Sequence, residues 1–238
     1  PIFYAVACIF LVIAGIFFSN AMIRESMFAL QIAQYQMNMP VGLSEIVIQP
    51  VFDGISILML FLVPLFSMRL LAEEKASGTI ELLFTYPLSD IALLGAKYLA
   101  GLTVLAILIA FTGVYMVILA FLSPVDWGVV FSSYLGLILL SSSLLAIGLF
   151  ASSLTRNQII AATVSFGLIL IFWIMGGLSE SFASGASSRI LSELALVKHF
   201  ASFLKGLLVL KDAAYYLFFT LFFLALTLSV LESRRWRG

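Results

Sequence analysis

The 238-residue chain has few charged side chains, and this scarcity excludes most soluble folds. Charged residues make up 10% of the sequence and hydrophobic residues 63%. Soluble globular domains are roughly a quarter charged and about half apolar. A water-soluble globule of this size could not bury so much apolar surface, so the composition predicts an integral membrane protein.

Residues that build catalytic and metal sites are also scarce. Cys8 is the single cysteine and His199 the single histidine, which excludes a disulfide framework and a multi-histidine or cysteine-based metal site. The sequence contains neither the phosphate-binding pattern G-x-x-x-x-G-K-[ST] nor H-E-x-x-H. Its formal net charge of zero argues against a nucleic-acid partner. We therefore expect no enzyme activity, cofactor or metal in this chain.

What the sequence does have is long apolar runs. A helix needs about 20 mostly apolar residues to cross a hydrocarbon core of roughly 30 Å. The runs predict an all-α, single-domain bundle of six transmembrane helices, with spans at about 2–18, 54–71, 97–122, 129–154, 159–178 and 213–231. The third run exceeds one bilayer thickness, so its helix should begin outside the membrane, capped by Ser89 or Asp90 after Pro87.

Lysine and arginine near the span ends predict the orientation. One side has seven of them: Arg69, Lys75, Lys97, Arg156, Arg234, Arg235 and Arg237. The other side has five: Arg24, Arg189, Lys198, Lys205 and Lys211. This bias and the even number of spans predict that both termini are cytoplasmic.

The connection before the last span has a helical pattern. Apolar residues recur there at helical spacing, at Ile190, Leu194, Val197, Ala201, Leu204 and Leu208. The pattern predicts an amphipathic helix at 188–208 that lies in the outer membrane interface. Two interpretations of this helix stay open: it anchors and seals the outer end of the bundle, or it acts as a substrate gate.

The polar segment between the second and third spans, at 72–90, is not an ordinary loop. The second helix can continue into water through Lys75 and end at Gly78, because glycine accepts the left-handed conformation. Thr79 can cap a new short helix whose residues Ile80, Leu83 and Phe84 share one apolar face. That face can dock into a groove on a partner protein or fold back onto the bundle, and both interpretations stay open.

Polar groups within the spans bear on the energy source for transport. A charge at the bilayer centre is costly and usually marks an ion pathway. The middles of the six runs are nearly free of ionisable residues, which disfavours an ion-coupled carrier. Pro64 interrupts the second span and predicts a kink just above the 72–90 segment.

The 72–90 segment resembles a known family. Its pattern E-E-K-x-S-G-T-x-E-L-L-x-x-x-P, from Glu73 to Pro87, is similar to the cytoplasmic loop of type 2 ATP-binding-cassette (ABC) exporter permeases. The closest likeness is to the gliding-motility and nitrous-oxide-reductase-maturation permeases. The stretch HFASFLKGLLVLKDAAYY, from His199 to Tyr216, and the basic end LESRRWRG also resemble that subgroup. The likeness covers most of the chain.

The resemblance implies a six-span permease in the bacterial inner membrane, paired with a second permease copy or relative. Two cytoplasmic ABC ATPase subunits would bind ATP and Mg²⁺. A coupling helix in the loop would contact the ATPase through Glu73, Glu74, Gly78, Thr79, Glu81, Leu82 and Leu83. Such permeases usually begin with a basic amphipathic helix, and this chain starts after the expected position of that helix.

Three functions are therefore compared. An ABC exporter permease predicts a complex with a separate ATPase that depends on the 72–90 segment. An ion-coupled carrier predicts transport without nucleotide. A non-transporting membrane scaffold or assembly factor predicts partner binding without flux, including binding to a periplasmic or extracellular protein.

Overall fold

The computed structural model describes residues 2–35, 44–79, 89–181 and 191–235. These residues are almost entirely helical and include no strand. Six of the helical segments are long and apolar enough to cross a membrane: Tyr4–Phe28, Ile46–Ala76, Asp90–Leu122, Trp127–Leu154, Gln158–Leu178 and Leu210–Ser233. The structure confirms the predicted all-α membrane fold, and each predicted span lies within or largely overlaps one of these segments.

The helices are numbered in chain order. They are α1 (Ile2–Tyr35), α2 (Gln49–Ala76), α3 (Asp90–Phe111), α4 (Gly113–Leu122), α5 (Trp127–Leu154), α6 (Gln158–Ser181), α7 (Leu196–Leu204) and α8 (Leu210–Arg235), with a π-helical segment at Ser44–Ile48 before α2.

The connection between the first two spans is more helical than the sequence indicated. The predicted spans leave residues 19–53 as a connection, but α1 continues to Tyr35 and the helical structure that precedes α2 begins at Ser44. Arg24 and Glu25 interrupt the apolar run, yet both residues are tolerated in a helix. Loss of hydrophobicity marks where a helix leaves the lipid, not where the helix ends.

Three of the spanning helices begin with a side chain that caps the helix N-terminus. Ser89 accepts a hydrogen bond from the backbone N–H of Ala92 at 3.2 Å, which confirms the predicted start of α3. Asp126 accepts from Gly128 at 2.9 Å, and Asn157 accepts from Ile159 at 2.8 Å. Each side chain satisfies one of the N–H groups that a helix start leaves free.

The third span consists of two helices, because the helix is interrupted at Thr112 between α3 and α4. The Thr112 hydroxyl lies 2.6 Å from the carbonyl of Ile109 and 3.1 Å from the hydroxyl of Tyr134 on α5. These contacts satisfy polar groups that would otherwise be exposed to hydrocarbon.

Helix α5 is the centre of the bundle. It packs against α2, α3, α6, α7 and α8, and most of its residues are buried. Ser143 bonds to a neighbouring helix: it donates to the carbonyl of Tyr216 at 3.2 Å and lies 3.1 Å from the Thr220 hydroxyl. Small hydroxyl residues let the helices approach closely and satisfy their own polar atoms across the contact.

The segment before the last span contains the predicted amphipathic helix, but the helix is shorter and a different face is buried. Within 188–208 the helix α7 spans Leu196–Leu204, after a break at Ala195. Its buried face consists of Leu196, His199, Phe200, Phe203 and Leu204. The predicted face included Leu194 and Leu208, which are exposed. The break at Ala195 changes the helical phase, so spacing counted across it gives the wrong face.

A buried polar cluster fixes α7 to the start of α8. His199 Nδ1 lies 2.7 Å from Asp212 Oδ1, and Ser202 donates to the other carboxylate oxygen. At the surface, hydrogen bonds from Lys211 and Lys198 hold the pKa of Glu193 below its usual range. His199 therefore has a structural partner in Asp212.

The crossing of α2 and α5 has no space for another carbon atom at Gly148. A Cβ added there would lie 2.1 Å from the Ser67 oxygen and 2.4 Å from the Ser67 Cβ. We predict that Gly148→Ala destabilises the protein by about 1–3 kcal/mol, because the two helices must separate. Unfolding measured in detergent would check this.

Gly167→Ala on α6 is the matched control, because no atom lies within 4 Å of its added Cβ. Equal stability of the two variants would contradict the close crossing.

Candidate functional site

The end of α2 has the geometry that the sequence predicted. The helix stops at Ala76, and the Ser77 N–H donates to the Glu73 carbonyl at 2.9 Å. Gly78 follows with a φ of 73°, in the left-handed region that a side chain disfavours. Glycine at this position therefore ends the helix and redirects the chain.

The residues around this turn face outward. Glu73, Gly78 and Thr79 are exposed, and the Thr79 hydroxyl lies 2.9 Å from the Ser77 hydroxyl. The predicted site residues Glu81, Leu82 and Leu83 lie outside the described residues. The apolar face of the predicted coupling helix therefore stays a prediction, as does the role of Thr79 as its cap.

Glu74 is turned toward the bundle instead. It forms a half-buried ion pair with Lys97 on α3, and Lys97 also donates to the Leu70 carbonyl at 2.8 Å. One lysine therefore neutralises a carboxylate near the end of α2 and also donates a hydrogen bond to a backbone carbonyl in the preceding turn. This contact ties α2 to α3 at the base of the 72–90 segment.

Helix α5 holds the same part of α2 from another direction. Lys75 is buried and donates to the Ser153 carbonyl near the end of α5. The Ser152 hydroxyl lies against the α2 backbone, where it accepts from the N–H of Ala72 at 2.9 Å and donates to the Met68 carbonyl at 3.2 Å. Because these hydrogen bonds are buried in a low-dielectric environment, they are stronger than they would be in water.

The structure therefore divides the predicted residues into two groups. Glu73, Gly78 and Thr79 face outward, whereas Glu74 binds the bundle. Three residues that we did not assign to this site, Lys97, Ser152 and Ser153, complete it. They lie 23 to 84 positions away from their partners, so no local pattern could have identified them.

Pro64 lies buried inside α2, which continues through it from Gln49 to Ala76. Proline has no N–H to donate to the preceding turn, which weakens the helix there. The Ser67 hydroxyl donates to the Pro64 carbonyl at 3.3 Å. A kink at Pro64 stays a prediction.

The Glu74–Lys97 pair should hold the end of α2 in place. We predict that Lys97→Met raises the hydrogen-exchange rate of residues 70–79 about fivefold, because loss of such a pair costs about 1 kcal/mol. Glu74→Gln should have a similar effect. Glu73→Gln, one position away but exposed, should leave the exchange rate unchanged. Wild-type exchange in Lys97→Met would contradict this role.

One comparison with known proteins identifies a relationship. The chain matches the family model described as ABC-2 family transporter protein over residues 1–207. No curated protein matches the chain.

Proposed function

Since the chain belongs to the ABC-2 transporter family and is a membrane-spanning permease subunit of an ABC transporter, we propose that it works as an exporter with a separate cytoplasmic ATPase. The ATPase would hydrolyse ATP with Mg²⁺, and this chain would convert its closure into movement of substrate or force across the membrane. The family match supports the pairing with an ATPase, and the end of α2 supports the mode of coupling.

The observation that carries the proposal is the attachment of the 72–90 segment to the bundle. Its exposed residues are Glu73, in the last turn of α2, and Gly78 and Thr79, just after a helix end that α3 and α5 both hold. Because α3 and α5 hold the end of α2, a displacement of this turn is not taken up locally. It must move the attached helices, which is the mechanical requirement for coupling.

Two spans receive this movement by different contacts. The Glu74–Lys97 pair passes it to α3, while Lys75 and Ser152 pass it to α5. Because α5 contacts most of the other helices, displacement at its end reaches the rest of the bundle. Glu81, Leu82 and Leu83 would supply the contact with the ATPase.

The charge distribution supports a cytoplasmic location for this end. Arg69, Lys75, Lys97 and Arg156 lie at the end of the bundle where α2 stops and α5 ends. Short basic flanks favour the cytoplasmic side of a membrane. With six spans, both termini would then be cytoplasmic, and the α7 end would face outward.

The resemblance of residues 73–87 and 199–216 to gliding-motility and nitrous-oxide-reductase-maturation permeases supports a finer assignment. On this basis we propose that the protein lies in a bacterial inner membrane, with a second permease copy or relative and two ATPase subunits. The same resemblance is compatible with a periplasmic partner at the α7 end.

Copurification tests the pairing with an ATPase. We expect vanadate-sensitive ATPase activity to copurify with the wild-type chain from native membranes and to be lost from the double variant Glu81→Lys, Leu83→Asp. Loss is expected because the substitutions reverse a charge and place a carboxylate on the predicted apolar contact face.

The matched control is Lys205→Glu, Leu208→Asp, which makes equivalent changes at exposed positions near α7. This control should keep the ATPase. Absence of ATPase from wild type in several mild detergents would overturn the proposal and favour a carrier or a scaffold. Equal loss from both double variants would overturn the specific role of the 72–90 segment.

Pro64 provides a second test, of transmission rather than binding. Pro64→Ala restores a backbone donor and should stiffen α2 above the coupling segment. We predict that the variant still binds the ATPase but loses a large part of substrate-stimulated or partner-stimulated hydrolysis. Unchanged stimulated hydrolysis would contradict a role for Pro64 in coupling.

A further inference from the structure

A cavity of about 650 Å³ lies between α1 and α2. Apolar side chains line nearly all of it, including Phe10 and Ile13 from α1 and Leu58 and Leu62 from α2. Its volume lies within the roughly 300–1,000 Å³ of sites that bind small molecules. The cavity is therefore large enough for a ligand and is suited to an apolar one.

The length of the cavity matches one leaflet of a bilayer. Along α2 its lining extends from Leu58 to Leu70, which is about 18 Å at 1.5 Å per residue. Half of a hydrocarbon core is about 15 Å. The cavity therefore runs from near the middle of the membrane to the end where α2 leaves it.

The side of the cavity is open toward lipid. Three of its lining side chains are more than half exposed: Ile9 at 61%, Phe61 at 54% and Leu65 at 59%. They lie on spanning helices, so in a membrane their exposed surface contacts acyl chains. A lipid chain can therefore enter sideways, without passing through the bundle.

Arg69 is the one charged residue in the lining, and it lies at the membrane-surface end. It is exposed, and within the described part of the chain it forms no ion pair, not even with Glu73 one turn further along α2. A guanidinium has a planar set of donors that matches a phosphate group. An unpaired guanidinium at headgroup depth is therefore complementary to a phospholipid headgroup.

We propose that this cavity is a binding site for an anionic phospholipid, with one acyl chain between α1 and α2 and the phosphate on Arg69. The leaflet-length apolar cavity selects an acyl chain over a compact solute. The lone cation selects an anionic headgroup, which basic sites at cytoplasmic membrane surfaces attract. The lipid fills the space between the two helices.

Lipid retention tests the proposal without using ATP hydrolysis, so its outcome is separate from that of the coupling test. The full chain is reconstituted into nanodiscs of mixed phosphatidylglycerol and phosphatidylcholine, extracted in mild detergent, and analysed by native mass spectrometry. We expect one retained phosphatidylglycerol per wild-type chain. Arg69→Gln should lower its retention about fivefold, and Arg69→Lys should restore most of it.

Two matched controls separate the site from general effects. Arg156→Gln removes an exposed cation at the same end but outside the cavity, and should retain lipid as wild type does. Leu65→Trp should fill the cavity and exclude the lipid, whereas Ile57→Trp, on the exposed surface of α2 outside the lining, should not.

Three results would overturn the proposal. The first is equal retention of both phospholipids by wild type, and the second is wild-type retention by Arg69→Gln. The third is absence of retained lipid from the wild-type chain, together with cross-linking of two copies of the Leu65→Cys variant in a Cys8→Ser background. That result would show that a second copy covers the cavity.

Discussion

In the hydrocarbon core there is no water to bond with the backbone, and an unpaired N–H or C=O costs several kcal/mol there. The rest of this structure follows from that constraint. All six spanning segments are helical, and where the helix is interrupted at Thr112 the hydroxyl groups of Thr112 and Tyr134 lie close to each other. Helix starts are closed by Ser89, Asp126 and Asn157.

Because lipid is as apolar as the helices, hydrophobicity does not drive the spans together, and close packing must do so. This explains why α5 is both the most buried span and the one richest in small residues. Gly148 allows α2 to approach, while Ser143 exchanges contacts with α8. A bundle held by close contacts at a central helix is well suited to pass a displacement from one end to the other.

The charged side chains near the end of α2 lie in two different environments. At its end, Glu74 and Lys75 are bound to neighbouring helices, which anchors the last turn of α2. Earlier along α2, Arg69 lies beside an apolar cavity and forms no ion pair with any residue that the structure describes. A bound lipid there would pack between α1 and the helix that carries the coupling turn, so lipid composition could alter how α1 and α2 move together.

The sequence by itself determined the membrane class, the six spans, the start of α3 at Ser89 and the end of α2 before Gly78. Each of these depends on local hydrophobicity or on the conformational preference of one residue, which a linear pattern contains. Helix α1 was underestimated because polar residues end a hydrophobic run without ending a helix.

Tertiary structure alone decided which charged residues are bound and which are free. Glu73 and Glu74 are neighbours with the same chemistry, yet one is exposed and the other pairs with Lys97. The buried face of α7, the contact of Ser152 with α2 and the cavity beside Arg69 likewise arise where distant segments meet. Such contacts depend on the packing of whole helices, and no spacing within one segment encodes them.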